Sequence, residues 1–172
     1  SMGGLVSATF VQRGMARVDA LVLSSPALDA GLSGFKRWLI GLMMRLSPDT
    51  TLGNGLDAEK ISHDPAVVKA YQRDRRVHDR ISARLARFID DNGPRVRAAA
   101  PRWPVPTLLM FAGDDHLVNP AGSVAFANAA PAPMVVARRF DGLYHEIFNE
   151  RDNAAVFDTL RQWLDRLAPA RG

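Results

Sequence analysis

Three residues of this 172-residue chain have the types and the order that nucleophilic acyl chemistry needs. Ser1 heads the stretch Ser1-Met2-Gly3-Gly4, which reads as the second half of a Gly-x-Ser-x-Gly turn between a strand and a helix. Asp115 follows the apolar run that ends at Ala112-Gly113, and His145 follows another that ends at Phe140. A serine hydroxyl is a poor nucleophile until a base takes its proton, and the base needs an acid to orient it. Serine, acid, histidine, each on the loop after a strand, supplies all three roles. Of the paired aspartates, Asp115 is the better acid: Gly113 makes the turn, and the second position past it faces the site. Turn formation at a strand end is the plainer role open to both. His63 and His78 lie in a helical region where surface or capping roles suit them, and His116 adjoins the acid. Taken alone, Ser1-Met2 also reads as a cloning remnant before a glycine linker.

Metal chemistry is not expected. His145-Glu146-Ile147-Phe148 begins like His-Glu-x-x-His, but Asn149 stands where the second ligand belongs. No cofactor motif occurs. With no cysteine in the chain, thiolate chemistry and disulfides are also excluded.

The elements that must position these residues follow from apolar patterning. Residues 5–12 read as a helix entered from the Gly3-Gly4 turn and ended by Gly14. Short apolar runs at 20–24, 105–112 and 134–140 read as buried parallel strands. Small residues over 120–130 suggest a helix between the last two strands. Val156, Leu160, Trp163, Leu164 and Leu167 recur at helical spacing over 153–167, with Asp152 placed to cap them. Strand and helix alternating with short connectors predicts a parallel α/β sheet.

Residues 30–100 break that rhythm and predict a helical insertion without a good strand, flanked by core segments at 1–29 and 101–172. Its first helix spans 34–46, with Phe35, Leu39, Leu42, Met43 and Leu46 on the core-facing stripe and Trp38 widening the apolar surface. Asp64-Pro65 opens another helix by capping. Arg73, Arg76, Arg80, Arg84 and Arg87 then recur at helical spacing opposite Val77, Ile81, Leu85 and Phe88, and Asn92-Gly93-Pro94 stops that helix.

The net charge of +4 rests mostly on arginine. A solvated helix face explains the arginine stripe most simply, and an anionic membrane surface is the next reading. No nucleic-acid motif or run of stacking aromatics is present, so no nucleic-acid partner is expected.

Five segments in order carry a family resemblance: Ser1-Met2-Gly3-Gly4, Leu21-Val22-Leu23-Ser24-Ser25-Pro26-Ala27-Leu28, the run from Asp64 to His78, the run from Pro106 to Ser123, and Tyr144-His145-Glu146-Ile147-Phe148-Asn149-Glu150. Together they resemble the C-terminal portion of a monoacylglycerol lipase or lysophospholipase of the α/β-hydrolase superfamily, over essentially the whole chain. The resemblance implies the C-terminal half of an α/β-hydrolase fold, with Ser1 as nucleophile, Asp115 and His145 completing the triad, and Met2 donating an oxyanion-hole N–H. It implies that 30–100 is a lid over the acyl pocket, so that Phe35, Trp38, Leu39, Leu42 and Met43 meet substrate. It also implies a missing N-terminal half, as another chain or an omitted segment, that carries the first strands and the second oxyanion donor. Where the family often has Asp-Pro-Leu-Val-His in the lid, this chain has Asp74-Arg75-Arg76-Val77-His78, which makes the lid more basic.

The leading expectation is a serine hydrolase of single-acyl lipids, cytoplasmic or peripherally bound to membrane through its lid. A small-ester carboxylesterase, an N-terminal-nucleophile hydrolase using the Ser1 amine, and a non-catalytic fragment or membrane-binding module are the alternatives.

Overall fold

The computed structural model describes residues 1–167. Its core is a three-stranded parallel sheet of β1 (Leu21–Ser24), β4 (Thr107–Ala112) and β5 (Val135–Phe140), in the order β1-β4-β5. Leu21 pairs with Thr107, and Thr107 with Val135. Every residue of β4 is buried, as expected of a parallel strand covered on both faces.

Alternate residues of β4 feed two cores. Leu109 and Phe111 join Leu5, Leu23, Trp103 and Phe126 under α1 (Met2–Gln12), α4 (Ala83–Ala99) and α5 (Ala121–Ala129). Leu108, Met110 and Ala112 join Phe140, Ile147, Val156 and Trp163 under α6 (Ala154–Leu167). The apolar runs therefore form strands where their patterning predicts. Two boundaries differ slightly. Helix α1 begins at Met2, so Gly3 and Gly4 lie inside its first turn, and α6 opens on the Asn153 carbonyl rather than on Asp152.

The two sheet edges differ in kind. β5 carries Arg138 and Arg139, both exposed, whereas β1 (Leu-Val-Leu-Ser) has no charge, and Val22 is exposed.

The insertion holds α2 (Gly34–Leu46), α3 (Pro65–Arg73) and α4, together with a small antiparallel pair, β2 (Thr51–Gly53) and β3 (Arg80–Ser82). Several expectations are corrected in this region. Strands do occur: Arg80 Nη2 reaches the Thr51 carbonyl at 2.6 Å, and Arg84 N–H reaches the Pro48 carbonyl, tying 80–84 to 48–51. The arginines do not share one helix, because Asp74 ends α3 and binds Arg76, Arg80 lies in β3, and Ser82 caps α4 by accepting from Leu85 N–H.

Helix α4 also runs straight through Asn92-Gly93-Pro94. A Cβ on Gly93 would stand 2.6 Å from the Leu28 carbonyl oxygen, so this glycine permits close packing rather than a turn. Asn92 is buried, donates to the Phe88 carbonyl and accepts from Arg13 at the C-terminal end of α1.

No residue of α2 is buried. Phe35 (70% exposed), Trp38 (61%) and Leu46 (74%) face outward instead of into a core.

Candidate active site

The Ser1 turn is held from both sides. Ser1 is the N-cap of α1, and its carbonyl accepts from Leu5 N–H (3.1 Å) and from Ala27 N–H (3.0 Å) beyond β1. A side chain at Gly4 would strike Pro26, with a Cβ 2.9 Å from the Pro26 Cβ, so glycine lets α1 sit against that corner. Ser25 adopts φ +37°, a left-handed conformation rare outside glycine, and its Oγ accepts from Ala112 N–H at the end of β4.

Asp115 and His145 come from the loops after β4 and β5. Those loops are bonded to one another: Gly113 N–H donates to the Phe140 carbonyl and Asp114 N–H to the Leu143 carbonyl. Asp115 Oδ1 accepts from Leu117 and Val118 N–H at 2.9 and 3.0 Å, leaving Oδ2 for His145 Nδ1 at 2.7 Å. The two side chains are 2% and 7% exposed. An ionised carboxylate only accepts, so Nδ1 carries the proton and Nε2 is left as a base. Asp114 points elsewhere and pairs with His116 at the surface.

Ser1 and His145 line one cavity of about 300 Å³ with Leu56, Ile61, Tyr71 and Phe148. Leu56, Ile61 and Tyr71 come from a segment remote from Ser1 and His145 in sequence, where no local signal marks them, and Ser24, Glu146 and Asn149 add a polar side to the lining. Trp38 and Leu42 of α2 line a separate groove with Arg87. Phe35, Leu39 and Met43 lie on the same outward helix.

A second buried carboxylate, which no sequence motif singles out, lies five residues after His145. Glu150 is 2% exposed at its side chain and accepts from Tyr144 N–H, His63 N–H and the His63 ring. Burial pushes its carboxyl up, but these donors together hold it below the usual 4.5. The described residues contain no His, Cys, Asp and Glu cluster suited to a metal ion.

A parallel sheet whose successive strand ends carry an aspartate bonded to a histidine, sharing a cavity with a serine at a helix N-terminus, is the arrangement of an α/β-hydrolase. The chain belongs to the family described as serine aminopeptidase, S33, whose model matches residues 1–152. It is 32% identical over 167 residues to a monoacylglycerol lipase of Mycolicibacterium smegmatis, covering 95% of this chain and 59% of that protein. It is 30% identical over 171 residues to the phospholipase YtpA of Bacillus subtilis, covering 96% and 66%. The crystal structure of a Paleococcus ferrophilus monoacylglycerol lipase superimposes with a TM-score of 0.90 at 31% identity, over 98% of this chain and 66% of that one. The chain thus spans roughly three fifths to two thirds of the length of these relatives.

Proposed function

We propose that the protein is a serine hydrolase that cleaves the ester of a single-acyl lipid, a monoacylglycerol or lysophospholipid, through an acyl-enzyme. The observation that carries this reading is the buried 2.7 Å contact of His145 Nδ1 with Asp115, set on the cavity that Ser1 lines. His145 Nε2 takes the Ser1 proton as Oγ attacks the ester carbonyl, and Asp115 orients and stabilises the imidazolium. The first N–H groups of a helix lack intrahelical partners, so Met2 N–H at the start of α1 is available to the oxyanion. His145 then returns its proton to the departing alcohol, and water repeats the sequence to release the fatty acid. The apolar part of the cavity lining, Leu56, Ile61, Leu117 and Phe148, suits an acyl chain, and the names of the relatives, a monoacylglycerol lipase and a phospholipase, point to acyl-ester lipids.

In this reading the insertion is a lid. Phe35, Trp38, Leu39, Leu42 and Met43 on α2 meet the lipid first, with Lys36 and Arg45 beside them for anionic headgroups. No described helix is long and apolar enough to cross a membrane. The uncharged β1 edge and exposed Met2, Val6 and Val22 are covered by a further part of the same fold, which also supplies the second oxyanion donor.

Hydrolysis of monoacylglycerol by Ser1→Ala and His145→Ala variants tests the assignment. Turnover is expected to fall by on the order of 10⁶ in each. A loss under tenfold in either would overturn it, and retention in His145→Ala alone would point to the Ser1 amine as base.

A further inference from the structure

Glu150 is the most thoroughly bonded acid in the described chain, yet the proposed reaction does not use it. It stands five residues after His145 and accepts on both oxygens. Oε1 lies 2.6 Å from Tyr144 N and 2.8 Å from His63 Nδ1. Oε2 lies 2.9 Å from His63 N and 3.2 Å from Ser62 Oγ. Tyr144 directly precedes His145, whereas Ser62 and His63 belong to the insertion.

The neighbouring contacts have the same two ends. Glu146 N–H, on the other side of His145, donates to the Ile61 carbonyl at 2.8 Å. Ser62 Oγ also lies 3.0 Å from the Asn149 carbonyl. The His63 ring stacks on Tyr144 with centroids 3.6 Å apart, and Lys60 Nζ lies 3.4 Å from the Tyr144 hydroxyl. Four consecutive insertion residues, Lys60 to His63, therefore grip the His145 loop at 144, 146, 149 and 150. Ile61 is at once part of this grip and of the cavity wall.

Asp115 fixes only one ring nitrogen of His145, which leaves the backbone carrying the ring to be fixed by something else. We propose that Glu150, with Ser62 and His63, is a latch that positions the His145 loop and makes the aim of the base depend on the seating of the insertion. Glu150 touches no reacting atom, so it is a positioning residue. Misplacing a base by about 1 Å can cost on the order of 10² in rate, so the latch acts on turnover rather than on substrate affinity. The inference rests on the triad reading above.

The test compares Glu150→Gln and His63→Phe with the wild type and with Ser1→Ala in the full chain. Activity on a monoacylglycerol is expressed per site titrated by a fluorophosphonate in the proteins that keep Ser1, so that a smaller folded fraction does not count, and per mole of protein in Ser1→Ala. Glu150→Gln is expected to lower kcat about tenfold or more with KM within twofold, and to speed amide exchange across 144–150. His63→Phe keeps the stack on Tyr144 but loses the bond to Glu150, and is expected to lower kcat about threefold at unchanged KM. If Glu150→Gln does not fold, His63→Phe decides alone. Wild-type kcat per titrated site in the folded variants, or a rise in KM with kcat unchanged, overturns the latch. Activity surviving in Ser1→Ala overturns the triad reading instead.

Discussion

At the scale of the residue, the acid–base pair makes a graded prediction. Asp115→Asn keeps the shape of the carboxylate but can leave His145 in the wrong tautomer. Turnover is expected to drop by on the order of 10⁴, with little change in melting temperature, and steady-state kinetics beside a thermal scan would check this. Glu150 makes a prediction about acid. Its carboxyl titrates below the usual 4.5 in the fold, so the ionised form binds more strongly there than in the unfolded chain. That stabilisation is complete above about pH 4.5 and is lost as pH falls through the lower, folded value. Melting temperature measured from pH 6 down to pH 3 should fall on the acid side, and Glu150→Gln should flatten that part of the curve.

At the scale of the element, packing decides what sequence patterning leaves open. Gly93 touches the Leu28 carbonyl, so Gly93→Ala should force α4 away from the 27–29 corner. A loss of about 1–3 kcal/mol is expected, measurable by denaturant unfolding. Helix α2 makes a different prediction. Replacing Trp38 by Ser should lower hydrolysis of vesicle-borne monoacylglycerol roughly tenfold more than hydrolysis of a soluble short-chain ester, as full burial of a large apolar side chain contributes about 1.5–3 kcal/mol and tenfold is about 1.4 kcal/mol. Equal losses on both substrates would remove the membrane role.

These two helices also mark what could be read from the sequence. The limits of α2 were legible because capping and apolar spacing are local, but its stripe could not say whether a core or a lipid waits opposite. Asn92-Gly93-Pro94 is a stop signal by composition, yet each of the first two residues is used by a tertiary contact, with Arg13 and with Leu28. The pattern of buried strands gave the sheet, and with it the loops of Asp115 and His145. Leu56, Ile61 and Tyr71 reach the cavity only through the path of the insertion, and Glu150 meets Ser62 and His63 across 88 and 87 residues of chain. Nothing short-range announces such contacts.

At the scale of the whole molecule, the two sheet edges behave differently. Exposed arginines protect β5 against pairing with another chain, and β1 has no such guard. The 18.8 kDa chain expressed alone should therefore self-associate at micromolar concentration. Light scattering after size exclusion would check this, and a stable monomer would show that the β1 edge tolerates water. The sheet also gives the insertion its architecture. The chain leaves the sheet after β1 and returns at β4, the neighbouring strand, so the two ends of the insertion are anchored side by side. Such a segment resembles an exchangeable cartridge: the Asp115–His145 distance is set by β4 and β5, on strands it never interrupts. If the insertion is the proposed lid, a counterpart grafted from a relative would retune substrate choice at no cost to that distance. The graft would have to bring its own counterparts of Ser62 and His63, or it would deliver a new pocket above a base left without its brace.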